Sequence, residues 1–229
     1  MAVTVYLDET GTHVGASRIM IGAVVTRQPT ELERVVTLRR EELAADRSLW
    51  PDSAKRPMFA AEGFHHSTDD ETIRDRFIET MQTLDFRAHV CYSRRGINGL
   101  DDDDLLVVMH YAVVRNLLRR YAGQEVSLVF ETKSEMDSLY GRIVKHAVES
   151  LDSAYAPRAS AWARIGDQPL GGLSVADYVL ALTELHLQQQ SGDQVQPFRV
   201  ARFARIASHM AHLIDFDAAA NKRKLARML

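Results

Sequence analysis

The chain has 229 residues, 46% of them hydrophobic, which is enough apolar material for one generous core and too much for a disordered chain. Its single cysteine, Cys91, excludes an internal disulfide framework and a multi-cysteine zinc site. The net charge of −3 is uneven: residues 199–229 carry seven basic residues against two acids, the pattern either of a phosphate-binding tail or of a solvated helix face.

No charged-then-apolar leader opens the sequence, and no apolar run reaches about 18 residues, so a cytoplasmic protein that does not enter a membrane is expected. In chain order, "VTVYLD" at residues 3–8 reads as a strand and "RIMIGAVVT" at 18–26 as a second. The turn chemistry of "GTHVG" between them makes the pair an antiparallel hairpin. Thr30, with Glu33 three positions on, has the form of a capping box opening a helix to about Asp46. "MFAAEGFHHS" at 58–67 reads as a short extended piece, and residues 67–85 as a helix whose inner face is Ile73, Phe77, Ile78 and Met81.

"FRAHVCYSR" at 86–94 alternates as a strand, with Cys91 a buried, inert thiol. A long helix follows from about Leu100. Its acids Asp101 to Asp104 sit at the positive end of the helix dipole, which accounts for them without a metal. "VSLVFE" at 126–131 is a continuous apolar run, as in a strand buried on both faces. A helix over 134–152, a strand at 159–165, a helix over 171–190 and a helical tail from Arg199 complete the order. The expected fold is α/β: one domain over residues 1–229, built on a mixed five-stranded sheet flanked by helices. A helical insertion of about residues 27–84 follows the first hairpin, and a helical tail covers about 197–229.

Three acids stand in awkward places. Asp8 ends the first strand and Glu131 ends the strand "VSLVFE". Asp177, in "LSVADYVLAL", has Leu173, Ser174, Leu180 and Ala181 as its helical neighbours. A carboxylate on such a face is costly unless it is paired or bound to a cation. If the first and fourth strands are adjacent, Asp8 and Glu131 converge at one sheet edge, and a helix packed there brings Asp177 to them. A divalent cation would relieve the repulsion, and hard carboxylate oxygens suit Mg²⁺ or Mn²⁺. Each acid also has a plain explanation. Asp8 and Glu9 before Thr10-Gly11 could open a hairpin turn, Glu131 could be a solvated strand exit, and Asp177 could complete a capping box with Ser174 behind Gly171 and Gly172.

These motifs resemble a prokaryotic family, domain of unknown function 3800. "YLDETG" is similar to its opening, a hydrophobic pair followed by Asp-Glu-Ser/Thr-Gly. "GFHHS", "SLVFE" and "GGLSVADYVLAL" are similar to its later segments, in the same order over residues 3–185. The resemblance implies a ribonuclease H-like fold with metals held by acids at the ends of the first and fourth strands and on a late helix, here Asp8, Glu131 and Asp177. Two departures are Glu131, where many relatives have Asp, and Thr10, where many have Ser. Glu still ligates Mg²⁺, and Thr10 keeps a hydroxyl.

On that footing Asp8 is the shared ligand of two cations that clamp a phosphodiester. Glu9 joins the ligands only if the turn begins at residue 9, because successive strand side chains alternate. His65 is the candidate to pass a proton to the leaving oxygen, ahead of His66. Lys133 reads as a solvated lysine, although it stands near enough to Glu131 to meet a phosphate. His209 and His212 have helical i, i+3 spacing but no evident third ligand. The expected function is a metal-dependent nuclease or phosphodiester hydrolase with nucleic acid as partner. The alternatives are a non-catalytic nucleic-acid-binding or interaction module on the same fold, and a metal-dependent hydrolase of a small phosphorylated molecule.

Overall fold

The structure is a computed structural model that describes residues 2–13, 15–50, 52, 54–96, 99–133, 136–152, 160–166 and 170–219. Strand β1 (Ala2–Thr10) pairs antiparallel with β2 (Arg18–Thr26), which pairs antiparallel with β3 (Arg87–Arg94). On the other side β1 runs parallel to β4 (Glu125–Glu131), and β4 parallel to β5 (Ser160–Gly166). A sixth strand, β6 (Met210–Asp215), lies parallel to the outer edge of β3. The sheet order is β5-β4-β1-β2-β3-β6, a mixed sheet with its hairpin strands on one side and its crossover strands on the other.

Side chains alternate across β1. Val3, Val5 and Leu7 join one core with β4's Leu128 and Phe130. Tyr6 and Asp8 point to the opposite face. The first face is covered by α4 (Asp102–Arg120) and α5 (Asp137–Glu149). The second is covered by α1 (Pro29–Ala45), α3 (Glu71–Met81) and α6 (Gly171–Gln190), with α2 (Lys55–Glu62) and α7 (Pro197–Ile206) outside them. Two apolar layers therefore enclose the sheet, as an α/β protein requires.

The sequence expectations differ from the structure at four places. The sheet has six strands, and the tail is not wholly helical. "MAHLID" forms β6 because the outer edge of β3 offers a row of unpaired backbone groups that a strand satisfies and a helix does not. The rest of the tail, 220–229, lies outside the described residues. Residues 55–62 form α2 rather than an extended piece, with Phe59 packed between Trp50 and Phe64. Helix α1 begins at Pro29, whose fixed φ and missing N–H suit a first helical position, so Thr30 is not its cap. Glu33 does not reach back to Thr30. Its carboxylate accepts the N–H groups of Gly171 and Gly172 at 2.6 and 3.1 Å, capping α6 from another helix.

That cap removes the plain explanation of Asp177. Helix α6 starts at Gly171 with Leu170 before it, so Asp177 lies in the second turn, beyond any capping position, and Ser174 is buried helix interior. Gly172 lets α6 approach β1 closely: a Cβ there would stand 2.3–2.4 Å from the ring of Tyr6.

Candidate active site

Asp8 is only 3% exposed. It follows Leu7, which is paired with Phe130 in the parallel β1/β4 register, so Asp8 and Glu131 stand side by side on the α6 face. The two carboxyls are hydrogen-bonded to each other. Burial first, then that bond, then the charges of Glu131, Asp177 and Glu9 hold the Asp8 carboxyl well above the usual carboxylate range. Its Oδ1 accepts the Glu9 backbone N–H at 2.7 Å. Among the described residues no lysine or arginine pairs with Asp8 or Asp177.

Asp177 approaches from α6. Its Oδ2 accepts the backbone N–H of His66 at 2.7 Å and lies 3.3 Å from Nδ1 of His65. The turn that delivers these histidines is built by Gly63, at φ 82°, and by Phe64, fully buried and stacked on Phe77 at 3.8 Å. Asp69 completes it. Its carboxylate accepts the His65 backbone N–H at 2.9 Å and the Tyr178 hydroxyl at 2.5 Å. Burial pushes Asp69 up to about 6. Asp177 raises His65, so that this half-exposed imidazole holds its proton more readily than an ordinary histidine. His66 is the opposite case. Its ring meets Tyr178 edge-on, and burial lowers it to about 4. The chain thus presents the His65 ring, and not that of His66, to Asp177.

Glu9 is placed elsewhere. Strand β1 continues to Thr10, so the Glu9 side chain passes to the α4/α5 face. There its Oε2 lies 3.3 Å from Nε2 of His110 and its Oε1 lies 3.1 Å from Nζ of Lys133. These partners lower the Glu9 carboxyl against the opposing effect of its burial. This corrects two expectations: Glu9 does not lie with the other acids, and Lys133 is an ion-pair partner rather than a free solvated lysine. The physical reason is the pleat, which sends neighbouring side chains to opposite faces.

Asp8, Glu131 and Asp177 are therefore brought together from β1, β4 and α6, with His65 beside them, and Glu9 is turned away behind the sheet. Among the described residues no group of three or more His, Cys, Asp or Glu is arranged to hold a metal ion as it stands. The donor set nonetheless fits a hard divalent cation: three carboxyls, one of them deeply buried, raised by that burial and by its acidic neighbours, and paired with no described lysine or arginine. Asp69, Tyr178 and Glu33, which position the site, carry no sequence signal, since the Asp69–Tyr178 and Glu33–Gly171 contacts each join residues more than 100 positions apart.

Other candidates resolve plainly. Asp101 caps α4, accepting the Asp104 N–H at 2.8 Å, as the dipole argument expects. The Cys91 thiol is buried and pushed up to about 12. His212 lies on β6 beside His89 and contacts Arg120, while His209 stacks on Phe86, so the two do not form a helical pair. Of the seven basic residues of the tail, Arg199, Arg202 and Arg205 of α7 pair with Glu71, Asp75 and Glu79 of α3, and Lys222, Arg223, Lys224 and Arg227 lie outside the described residues. No described helix is long and apolar enough to cross a membrane.

No family model matches the chain, and no curated protein matches it. The solved structures to which the chain is similar include three of ribonucleases. One is the ribonuclease HII of Archaeoglobus fulgidus, solved with PCNA, at 12% identity over 90% of this chain and 89% of that one, with a TM-score of 0.46. Another is Bst ribonuclease HIII with Mn²⁺, at 11% identity over 98% of this chain and 64% of that one, TM-score 0.46. A third is the ribonuclease H2 of Pyrococcus horikoshii OT3, at 12% identity over 99% and 98%, TM-score 0.47.

Proposed function

We propose that the protein is a divalent-metal-dependent phosphodiester hydrolase acting on nucleic acid, with Asp8, Glu131 and Asp177 as metal ligands and His65 as the proton-transfer group. One observation carries this reading: three carboxyls converge from three separate elements, and burial, followed by the neighbouring acids, raises the carboxyl of Asp8 well above the usual carboxylate range. A fold gains no stability from that arrangement without a cation to neutralise it. The resemblance of "YLDETG", "SLVFE" and "GGLSVADYVLAL" to domain of unknown function 3800 supports the same assignment.

Bound Mg²⁺ or Mn²⁺ would supply charge neutralisation and an activated water at the phosphodiester. The chain's own residues do the rest. Asp8, which feels the charges of both Glu131 and Asp177, would be the ligand common to the site. Asp177 holds the His65 ring, and Asp69 holds its backbone, so the imidazole is fixed at the rim of the site. From there it can give a proton to the departing oxygen. Glu9, committed to His110 and Lys133, supports β1 from behind.

The test is calorimetric titration of Mn²⁺ into the wild type and into Asp177→Asn, followed by cleavage assays on labelled RNA and DNA. Binding in the wild type, its loss in the variant, and metal-dependent cleavage are expected. Absence of Mn²⁺ binding to both proteins, with nucleic acid present, overturns the reading and leaves a fold-only module. A second reading, hydrolysis of a small phosphorylated molecule, is favoured by one observation: the α7 arginines are paired with α3 acids and so do not form a backbone track. A steep fall of binding with salt marks a polymer substrate, and a shallow one the small molecule.

A further inference from the structure

We propose that two copies of this chain associate through the edge strand β5, pairing antiparallel about a two-fold axis at Ala163, so that two sheets become one. Strand β5 is the last in the sheet order, and no described residue hydrogen-bonds its outer side. The Gly166 carbonyl accepts the Thr132 N–H on the β4 side. Because N–H and C=O directions alternate along a strand, residues 162, 164 and 166 face β4, while Ala161, Ala163 and Ile165 present theirs outward.

Proteins usually protect such an edge with lysine, proline or a bulge. Residues 160–166 contain no lysine and no proline, and the register with β4 runs unbroken from Ser160 to Gly166. The opposite edge differs, since the β3/β6 register shifts between Ala88 and His89. Strand β5 also carries two of the exposed large hydrophobic side chains of the molecule, Trp162 at 46% and Ile165 at 43%.

The sequence "AWARI" complements itself, which is why the partner is a second copy. An antiparallel pair centred on Ala163 places outward-facing Ala163 opposite the partner's Ala163 as a hydrogen-bonded pair. Trp162 then falls opposite the partner's Arg164, and Arg164 opposite the partner's Trp162. These are non-hydrogen-bonded positions, where side chains stand closest, and each holds a guanidinium and an indole face. Among the described residues no carboxylate pairs with Arg164. On the other face Ala161 meets the partner's Ile165, small against large. Apart from the Ala163 pair on the axis, every contact is made twice, as an isologous interface demands.

Light scattering on the full chain over a wide concentration range tests this. The expected mass is twice the 25.8 kDa of one chain. The emission of Trp162 should shift to the blue as the dimer forms, against a constant background from buried Trp50. Ala163→Pro removes only an outward N–H, so the β4 ladder should survive with an unchanged circular dichroism spectrum while the dimer is lost. Arg164→Glu leaves the backbone intact and should weaken association about tenfold, the loss of two modest cation–π contacts. Ala163→Cys should give a disulfide-linked dimer without reductant, because the paired Cα atoms lie within bridging range. A monomer at every concentration overturns the proposal, and so does a dimer that Ala163→Pro and Arg164→Glu leave unchanged.

Discussion

Asp8 carries the electrostatic cost of this fold. It is buried, hydrogen-bonded to Glu131 and surrounded by the charges of Glu131, Asp177 and Glu9, and so its carboxyl holds a proton more readily than a free aspartate does. Two outcomes are expected. Asp8→Asn should raise the melting temperature of the metal-free protein near neutral pH and remove the further rise that Mn²⁺ gives the wild type, which melting curves with and without Mn²⁺ will check. A lower melting temperature would make Asp8 a structural turn acid. Mn²⁺ uptake by the wild type should also release a proton, visible as a binding enthalpy that depends on the ionisation enthalpy of the buffer. Single residues also show the limit of a linear reading. Glu9 follows Asp8 directly, yet the pleat puts it on the other side of the sheet, against His110 and Lys133.

At the scale of elements, helix α6 decides whether the site exists. It delivers Asp177, and its position rests on Gly172 against Tyr6 and on the Glu33 cap from α1. Gly172→Ala forces a methyl into the Tyr6 ring and should cost about 1–3 kcal/mol as overpacking, more than the small gain in helix propensity returns. Because α6 must also move off β1, Mn²⁺ affinity should fall with stability. Calorimetry against a melting curve separates the two, and an unchanged affinity would show that Asp177 keeps its place without this seat. Elements were unevenly legible. Strands β1 to β4 and helices α3 to α6 stand close to where apolar periodicity put them, because each buries a face whose repeat is written locally. Strand β6 and helix α2 do not: one forms to cover the edge of β3, the other around the aromatic cluster of Trp50, Phe59 and Phe64.

At the scale of the whole molecule, folding buries histidines that an unfolded chain would leave to titrate near 6.5. His89 is lowered to about 4, by burial first and then by His212 and Arg120. Its folded pKa lies below its unfolded one, so it costs nothing above pH 6.5. As the pH falls from 6.5 toward 4, the unfolded chain takes the proton first and the folded state is weakened. Asp69 and Asp8 act in the opposite sense, since their raised carboxyls hold protons that the unfolded chain releases. A direct comparison cancels them. The stability of His89→Gln relative to the wild type should improve between pH 6.5 and 4, by an amount on the order of 2–3 kcal/mol. Chemical denaturation at three pH values measures it, and a constant difference would show that His89 is not the titrating group.

The sequence by itself determined the α/β class, the hairpin opening, the buried character of β4 and the suspicion attached to Asp8, Glu131 and Asp177. Each is local: a period, a turn, or an acid where the pattern calls for an apolar residue. Only the tertiary structure decided that β4 lies beside β1, that α6 begins early enough to exclude a capping role for Asp177, and that Asp69 and Tyr178 hold His65. It also decided that the basic face of α7 is answered by the acids of α3. These depend on pairings between residues 100 or more positions apart, and the free energy of such a pairing belongs to the packed arrangement of both partners, which neither segment specifies alone.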